Sequence, residues 1–264
     1  MTAPSIRHGD FTLLAEDYAR YRPAYAPMVL DTVLGLARVT APRAIEAADV
    51  GAGTGIWTRM LARGGCRMIA VEPNDEMRSR GQAANDGLPI DWRRGSAEET
   101  GLDDASLDLV SMASSLHWTD FSRATTEFRR VLRPAGTFVA LWNTRMPEAS
   151  PLLARIEATL EEIVPDLTRV SSGRSAFCDT LFTRLRSPGG FDDVVYVEGR
   201  HVEHQSKERY LGLWRSSNDV RVQAGPARFD AFMCRIEDLI RDERVIEATY
   251  LTRAWIARRV MAPA

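Results

Sequence analysis

Asp49-Val50-Gly51-Ala52-Gly53-Thr54-Gly55 is the stretch whose reading decides the fold. Residues 44–50 ahead of it form a short, partly apolar segment of strand character, and residues 57–63 behind it read as a helix. Glycines at such a strand-to-helix junction let the backbone turn sharply and let a ligand approach main-chain atoms closely. Their pattern is G-x-G-x-G. A dinucleotide site wants Gly or Ala at the sixth position, where Ile56 stands, so a nicotinamide cofactor fits less well. Glu72 lies 21 residues after Gly51 and closes a second strand at 67–71. An acid there can accept hydrogen bonds from both ribose hydroxyls of an adenosine.

Moving outward, residues 75–84 read as a helix, 90–93 and 107–112 as strands, 123–132 as a helix stopped by Pro134-Ala135-Gly136, and 137–142 as a fifth strand. Strands separated by helices of about ten residues indicate βαβ units and a parallel sheet. The flanks differ. Residues 1–35 are rich in Tyr and read as helical. Residues 148–188 carry Leu152, Leu153, Ile156, Leu160 and Ile163 at helical spacing. Residues 193–202 return to strand character, 207–243 read as two helical pieces split near Gly225-Pro226, and 246–257 as a last strand. The chain therefore divides into a helical cap segment (1–35), a ligand-binding α/β core (36–145), a helical insertion of the cap (146–190) and sheet-completing strands (191–264) with a cap excursion at 207–243.

With these pieces in place, the sequence resembles the class I S-adenosylmethionine-dependent methyltransferases over residues 40–145. The matching segments are 49–55, Val71-Glu72-Pro73, Gly95-Ser96-Ala97-Glu98, 107–118 and 128–143, including Arg130-Val131-Leu132-Arg133-Pro134-Ala135-Gly136. Phe11, Ala15, Tyr18, Tyr21-Arg22-Pro23 and Tyr25 ahead of the core resemble the bacterial small-molecule subgroup. Ala135 departs from the glycine usual in the family. The resemblance implies a doubly wound, mostly parallel seven-stranded α/β sheet (Rossmann-like) under a helical cap. It implies S-adenosyl-L-methionine as cofactor, with Gly51, Gly53 and Gly55 at its methionine end, Glu72 on the ribose, and Ser96 and Ala97 at the adenine. Tyr18 and Arg22 close over it, and Asp49, Ala52, Pro73, Met77, Glu98 and Ser114 complete the set.

The methyl of a sulfonium is already activated, so the protein must align a nucleophile with the S–CH₃ bond and exclude water. Alignment alone is worth roughly 7–11 kcal/mol. A general base is optional, and no metal is required. His117 is the candidate base, since an imidazole accepts a proton near neutrality; the alternative is a histidine that only packs or caps. Trp118, Asn143, Tyr210 and Trp214 are the candidate acceptor-binding residues, Tyr210 and Trp214 sharing a helical face. Together they suggest a small, partly apolar acceptor. His201 and His204 point to opposite faces of a strand, which argues against a metal pair. Two other readings stand beside methyl transfer: a non-catalytic S-adenosylmethionine-binding module, and an NAD(P)-dependent dehydrogenase.

Composition narrows the partners. Hydrophobic residues make up 45% and charged residues 27%, as in an ordinary globular chain. Lys+Arg 34 against Asp+Glu 36 gives −2, unsuited to a nucleic-acid binder. No apolar run is long enough to span a bilayer, and the N-terminus lacks a signal-peptide run. Cys66, Cys178 and Cys234 are far apart in sequence and suit reduced thiols in a cytoplasm. Monomer and homodimer both remain open.

Overall fold

The computed structural model describes residues 9–41, 43–85, 87–169, 173–187 and 191–259. Among them, β1 (Glu46–Val50), β2 (Arg67–Val71), β3 (Ile90–Arg93), β4 (Leu107–Ala113), β5 (Leu132–Arg145), β6 (Phe191–Gln205) and β7 (Ile246–Arg259) form one seven-stranded sheet in the order β3-β2-β1-β4-β5-β7-β6. The first five strands run parallel, and β7 is antiparallel to both β5 and β6. This is the doubly wound, mostly parallel, Rossmann-like architecture. No helix among the described residues is long and apolar enough to cross a membrane.

Period-two alternation along β5 divides the core. Phe138, Ala140 and Trp142 face one side, where they pack with Phe128 of α5 (Phe121–Val131) and Leu181 of α7 (Ala176–Leu185). Val139 and Leu141 face the other, against Val29 and Val33 of α2 (Pro27–Arg38) and Trp57 and Leu61 of α3 (Ile56–Arg63). In α2, Pro27 starts the helix and Val29, Val33, Leu34 and Ala37 recur along one buried face. A third cluster lies beyond the sheet edge. It joins Ile246, Ala248 and Tyr250 of β7 to α6 (Pro151–Ile163), α8 (Lys207–Arg215) and α9 (Asn218–Leu239). These helices form the cap.

Several boundaries differ from the sequence reading. Within the described part of the N-terminal segment, α1 (Ala15–Tyr21) and α2 are separated by five extended residues, 22–26; residues 1–8 lie outside the described residues. The C-terminal helical region has an additional break at Ser216-Ser217, while the split read at Gly225-Pro226 is present: Gly225 (φ 69°, ψ 169°) is non-helical and divides α9 into two helical pieces. α5 does stop before Pro134, at Val131, yet Pro134-Ala135-Gly136 belongs to β5. The register passes from Leu132 opposite Leu107 to Thr137 opposite Leu109, so the extra residues bulge out.

Ala135 sits at φ 62° in that bulge. A left-handed alanine costs roughly 1–2 kcal/mol, and glycine returns part of that as extra freedom in the unfolded chain. Ala135→Gly is therefore expected to stabilise the protein by about 0.5–1 kcal/mol in denaturant titration. A loss of stability would show that the bulge is not strained.

Candidate active site

The glycine stretch wraps the end of β2. The Gly51 and Ala52 N–H groups both donate to the Val71 carbonyl, at 2.8 and 3.1 Å, and the Gly55 N–H donates to Ala52 O. Gly51, Gly53 and Gly55 all have positive φ, and Gly55 is the N-cap of α3. An added Cβ would fall 2.8 Å from Ser115 at Gly51 and 2.9 Å from Trp92 at Gly55. Glu72 closes the loop: its two carboxylate oxygens accept the Gly53 and Asn74 N–H groups, each at 2.8 Å. The side of Glu72 left open faces a cavity of about 250 Å³. Burial pushes its carboxyl above the ordinary glutamate value, against the pull of those two N–H groups and of Arg78.

That cavity brings most of the expected cofactor residues together. Gly51, Ala52, Gly53, Glu72, Pro73, Met77, Ser96, Ala97, Glu98, Ser114 and Tyr18 line it. Trp118, expected beside an acceptor, lines it too, packed edge-on against Phe11 with Gly9 below it. Ser96 uses its N–H and hydroxyl in a turn with Glu99, and the Glu98 carboxylate accepts the Asp120 N–H. Sequence reading missed Thr54, Trp57 and Asn74. Thr54 Oγ1 and Trp57 Nε1 are buried in this wall with no hydrogen-bond partner among the described residues. Two orphaned polar atoms, a tight glycine cradle and a buried acid at a strand end fit an adenosine-bearing cofactor with a charged amino-acid tail.

Asp49 lies beneath the cavity. It accepts hydrogen bonds from Thr58 Oγ1 (2.6 Å) and Ser111 Oγ (2.8 Å), tying β1 to α3 and β4. Burial raises its carboxyl to about 7, with Glu72 adding repulsion and the two hydroxyls opposing. A folded value above the unfolded one means the native state holds more protons between about pH 3.8 and 7. The group's contribution is thus fully present below the unfolded value and lost as pH rises through the folded one. Asp49→Asn should remove that slope, which amounts to at most ~1.4 kcal/mol per pH unit. Denaturation midpoints at pH 5, 6, 7 and 8 check it; parallel curves for variant and wild type would dismiss the effect.

The chain crosses the open end of the sheet as a strap. Ala26 N donates to Thr252 Oγ1, Thr252 Oγ1 donates to Asn143 Oδ1, and Asn143 Nδ2 donates to the Ala24 carbonyl. Asn143, an expected acceptor ligand, spends both ends of its amide here. Tyr25 reaches Ser114 Oγ at 3.1 Å, and Ser114 sits at φ 56° at the tip of β4. Beyond the strap, under the cap, lies a second cavity of about 370 Å³. Phe11, Tyr18, Tyr25, Ile56 and Ser114 line both cavities, so the two adjoin. Arg22 lines the second and not the first. Its guanidinium stacks on Tyr18 and donates to the Ser216 hydroxyl and carbonyl.

Three expectations are corrected by position. His117 lines neither cavity: its Nδ1 accepts the Trp142 indole N–H at 3.2 Å and its ring packs between Trp118 and Phe177, which leaves it poorly placed as a base. Tyr210 and Trp214 are 2% and 1% exposed in the cap core and line neither of the two large cavities. The face they share packs on Phe232 and its neighbours, because a three-helix cap needs a core of its own. Gly55 also stays behind the cofactor wall, its role confined to turning the chain. His201 stacks on Tyr250 while His204 meets Glu247, on opposite faces of β6.

A family model described as "Methyltransferase domain" matches residues 48–140. An uncharacterized methyltransferase of Mycobacterium tuberculosis, Rv3342, is 43% identical over 129 residues, 48% of this chain and 49% of that one. The chain thus spans about half the length of the first curated relatives it matches. An uncharacterized methyltransferase of Schizosaccharomyces pombe, C25B8.09, is 34% identical over 210 residues, 78% of this chain and 79% of its own. The solved structure of a putative type II methyltransferase from Anaeromyxobacter dehalogenans superposes with a TM-score of 0.65 at 22% identity, covering 92% of this chain and all of that one, which supports the fold. A shared sequence of this extent, on a sheet of this order with its glycine turn and acidic strand end, places the chain in the class I S-adenosylmethionine-dependent methyltransferases.

Proposed function

We propose that this protein transfers the S-adenosylmethionine methyl group, in line, to a small molecule held in the larger cavity. The observation that carries the reading is the shared wall of Phe11, Tyr18, Tyr25, Ile56 and Ser114: a cradle suited to the cofactor opens directly into a separate chamber under the cap. Bound there, the cofactor supplies an activated methyl on a sulfonium. Gly51 and Gly53 leave room for its amino-acid end, Glu72 accepts its ribose hydroxyls, and Ala97 and Met77 flank its base. Tyr18 and Ser114 position the acceptor at the junction. Burial pushes the Tyr25 phenol far above its ordinary range, so it keeps its proton and orients groups by donating a hydrogen bond. The strap and cap exclude water from the junction, which strengthens every polar contact inside.

A chamber of about 370 Å³ has the size of a metabolite site. Cys66, Cys178 and Cys234 are free thiols, consistent with a reducing cytoplasm. The test has two steps. Calorimetry should show binding of S-adenosylhomocysteine, and labelled S-adenosylmethionine should pass its methyl to a component of a small-molecule extract. Binding without transfer to any component would defeat the reading, as would efficient methylation of tRNA or intact protein.

A further inference from the structure

The acceptor chamber differs in chemistry from the partly apolar site that the aromatic residues of the cap suggest. Arg145, at the end of β5, lies directly opposite Tyr250 of β7, so both side chains project from the same face of the sheet. Both line the chamber, on the part of its wall not shared with the cofactor cavity. The Arg145 guanidinium lies flat on the Trp214 ring, 3.7 Å from its centroid, and makes no hydrogen bond or ion pair with a carboxylate among the described residues. Trp214 is thus a platform for Arg145 instead of an acceptor contact. Tyr250 is 2% exposed, and its hydroxyl is buried beside the Gln205 side chain, close enough to feel it yet short of normal hydrogen-bond geometry, as are both ends of the Gln205 amide. Leaving such a donor unsatisfied costs free energy unless a ligand uses it.

The surrounding charge points the same way. Arg22 reaches the chamber from the strap, and among the described residues the hydrogen bonds of its guanidinium go to Ser216. Arg169 pairs with Glu157, and Arg145 repels it, adding to the burial that lowers its pKa. Arg174 pairs with Glu148. Two guanidiniums, Arg22 and Arg145, are left without a carboxylate, and both act on the Tyr250 hydroxyl, whose own proton burial holds up to about 12. A planar fork, a phenol able to donate and a second cation together make a receptor for an anion.

We propose that the acceptor carries a carboxylate, seated between Arg145, the Tyr250 hydroxyl and Arg22 in the larger chamber. This deepens the methyl-transfer reading and rests on it. The anion anchors one end of the acceptor, and its reacting atom lies at the Tyr18–Ser114 junction. A carboxylate is favoured over a phosphate because Glu157, Glu161 and Asp219 also line the chamber and would repel a dianion more strongly than a monoanion.

The experiment follows labelled methyl transfer from S-adenosylmethionine into a small-molecule extract separated by anion exchange. Transfer is expected into the retained fraction. It should vanish after carbodiimide–methylamine capping, which neutralises carboxylates, and survive phosphatase treatment. With that fraction, Arg145→Gln and Tyr250→Phe should each raise KM by at least ~10-fold, with calorimetric affinity for S-adenosylhomocysteine within about twofold of wild type. Transfer confined to neutral or cationic fractions overturns the proposal while leaving methyl transfer standing. So does phosphatase-sensitive, capping-resistant transfer, or wild-type KM in both folded variants. Absence of transfer to every fraction, with S-adenosylhomocysteine bound, overturns the functional reading and the proposal together.

Discussion

Replacing Glu72 with alanine is expected to weaken S-adenosylhomocysteine binding by about 2–4 kcal/mol, some 30- to 1000-fold. Two losses combine. The ribose hydroxyls lose a charged acceptor, and the Gly53 and Asn74 N–H groups lose the carboxylate that holds the glycine turn against β2. Glutamine is no remedy, because its amide NH₂ must face one of those two N–H donors. The carboxyl is also raised above its ordinary value by burial, so it protonates at a higher pH than an exposed glutamate. Its charged form is the one that ribose hydroxyls favour. Cofactor affinity should therefore fall as pH is lowered, starting at a higher pH than an exposed glutamate would give. Calorimetry at pH 5, 6 and 8 measures both effects. Unchanged affinity in Glu72→Ala would remove the residue from the site.

Gly212→Val is expected to destabilise the protein by about 2–3 kcal/mol and to lower kcat/KM for methyl transfer by ~100-fold. Gly212 lies mid-way along α8, where alanine would ordinarily add about 1 kcal/mol of helix stability. Here the sign reverses. A Cβ at this position would stand 2.1 Å from the Tyr21 ring, which lies flat against the glycine and bonds Glu208 through its hydroxyl. Something must shift, and because the overlap reaches the ring's inner atoms while its hydroxyl is tied to Glu208, the expected movement is of α1 away from α8. Tyr18, one turn earlier on α1, forms part of both cavity walls and would move with it. Denaturant titration, cofactor calorimetry and transfer kinetics on Gly212→Val and Gly212→Ala test the chain of effects. A Gly212→Ala variant as stable and as active as wild type would show that this contact does not hold the cap to the core.

The glycine turn, the acid at the end of β2 and the alternation of strands and helices were legible because each is a local property. A positive-φ turn needs glycines at fixed offsets, a buried parallel strand needs a short apolar run, and Glu72 ends a strand within one βαβ unit of Gly51. Local signals also found most of the residues that line the smaller cavity. Thr54 and Trp57 escaped notice because their orphaned polar atoms become visible only once burial is known. The acceptor chamber was out of reach for a stronger reason. Arg22, Arg145, Arg169 and Tyr250 come from four distant segments, and nothing in their spacing brings them together. Residue type pointed the wrong way as well. Tyr210 and Trp214 have the chemistry of ligand contacts and instead fill the cap core, and His117 has the chemistry of a base and instead accepts a bond from Trp142. Residue type sets what a side chain can do; only tertiary packing sets which face it presents and which partner has already claimed it. The sequence by itself thus determined the sheet, the glycine cradle and the cofactor class. The folding of the strap and cap across the sheet end decided the second cavity and which arginines line it.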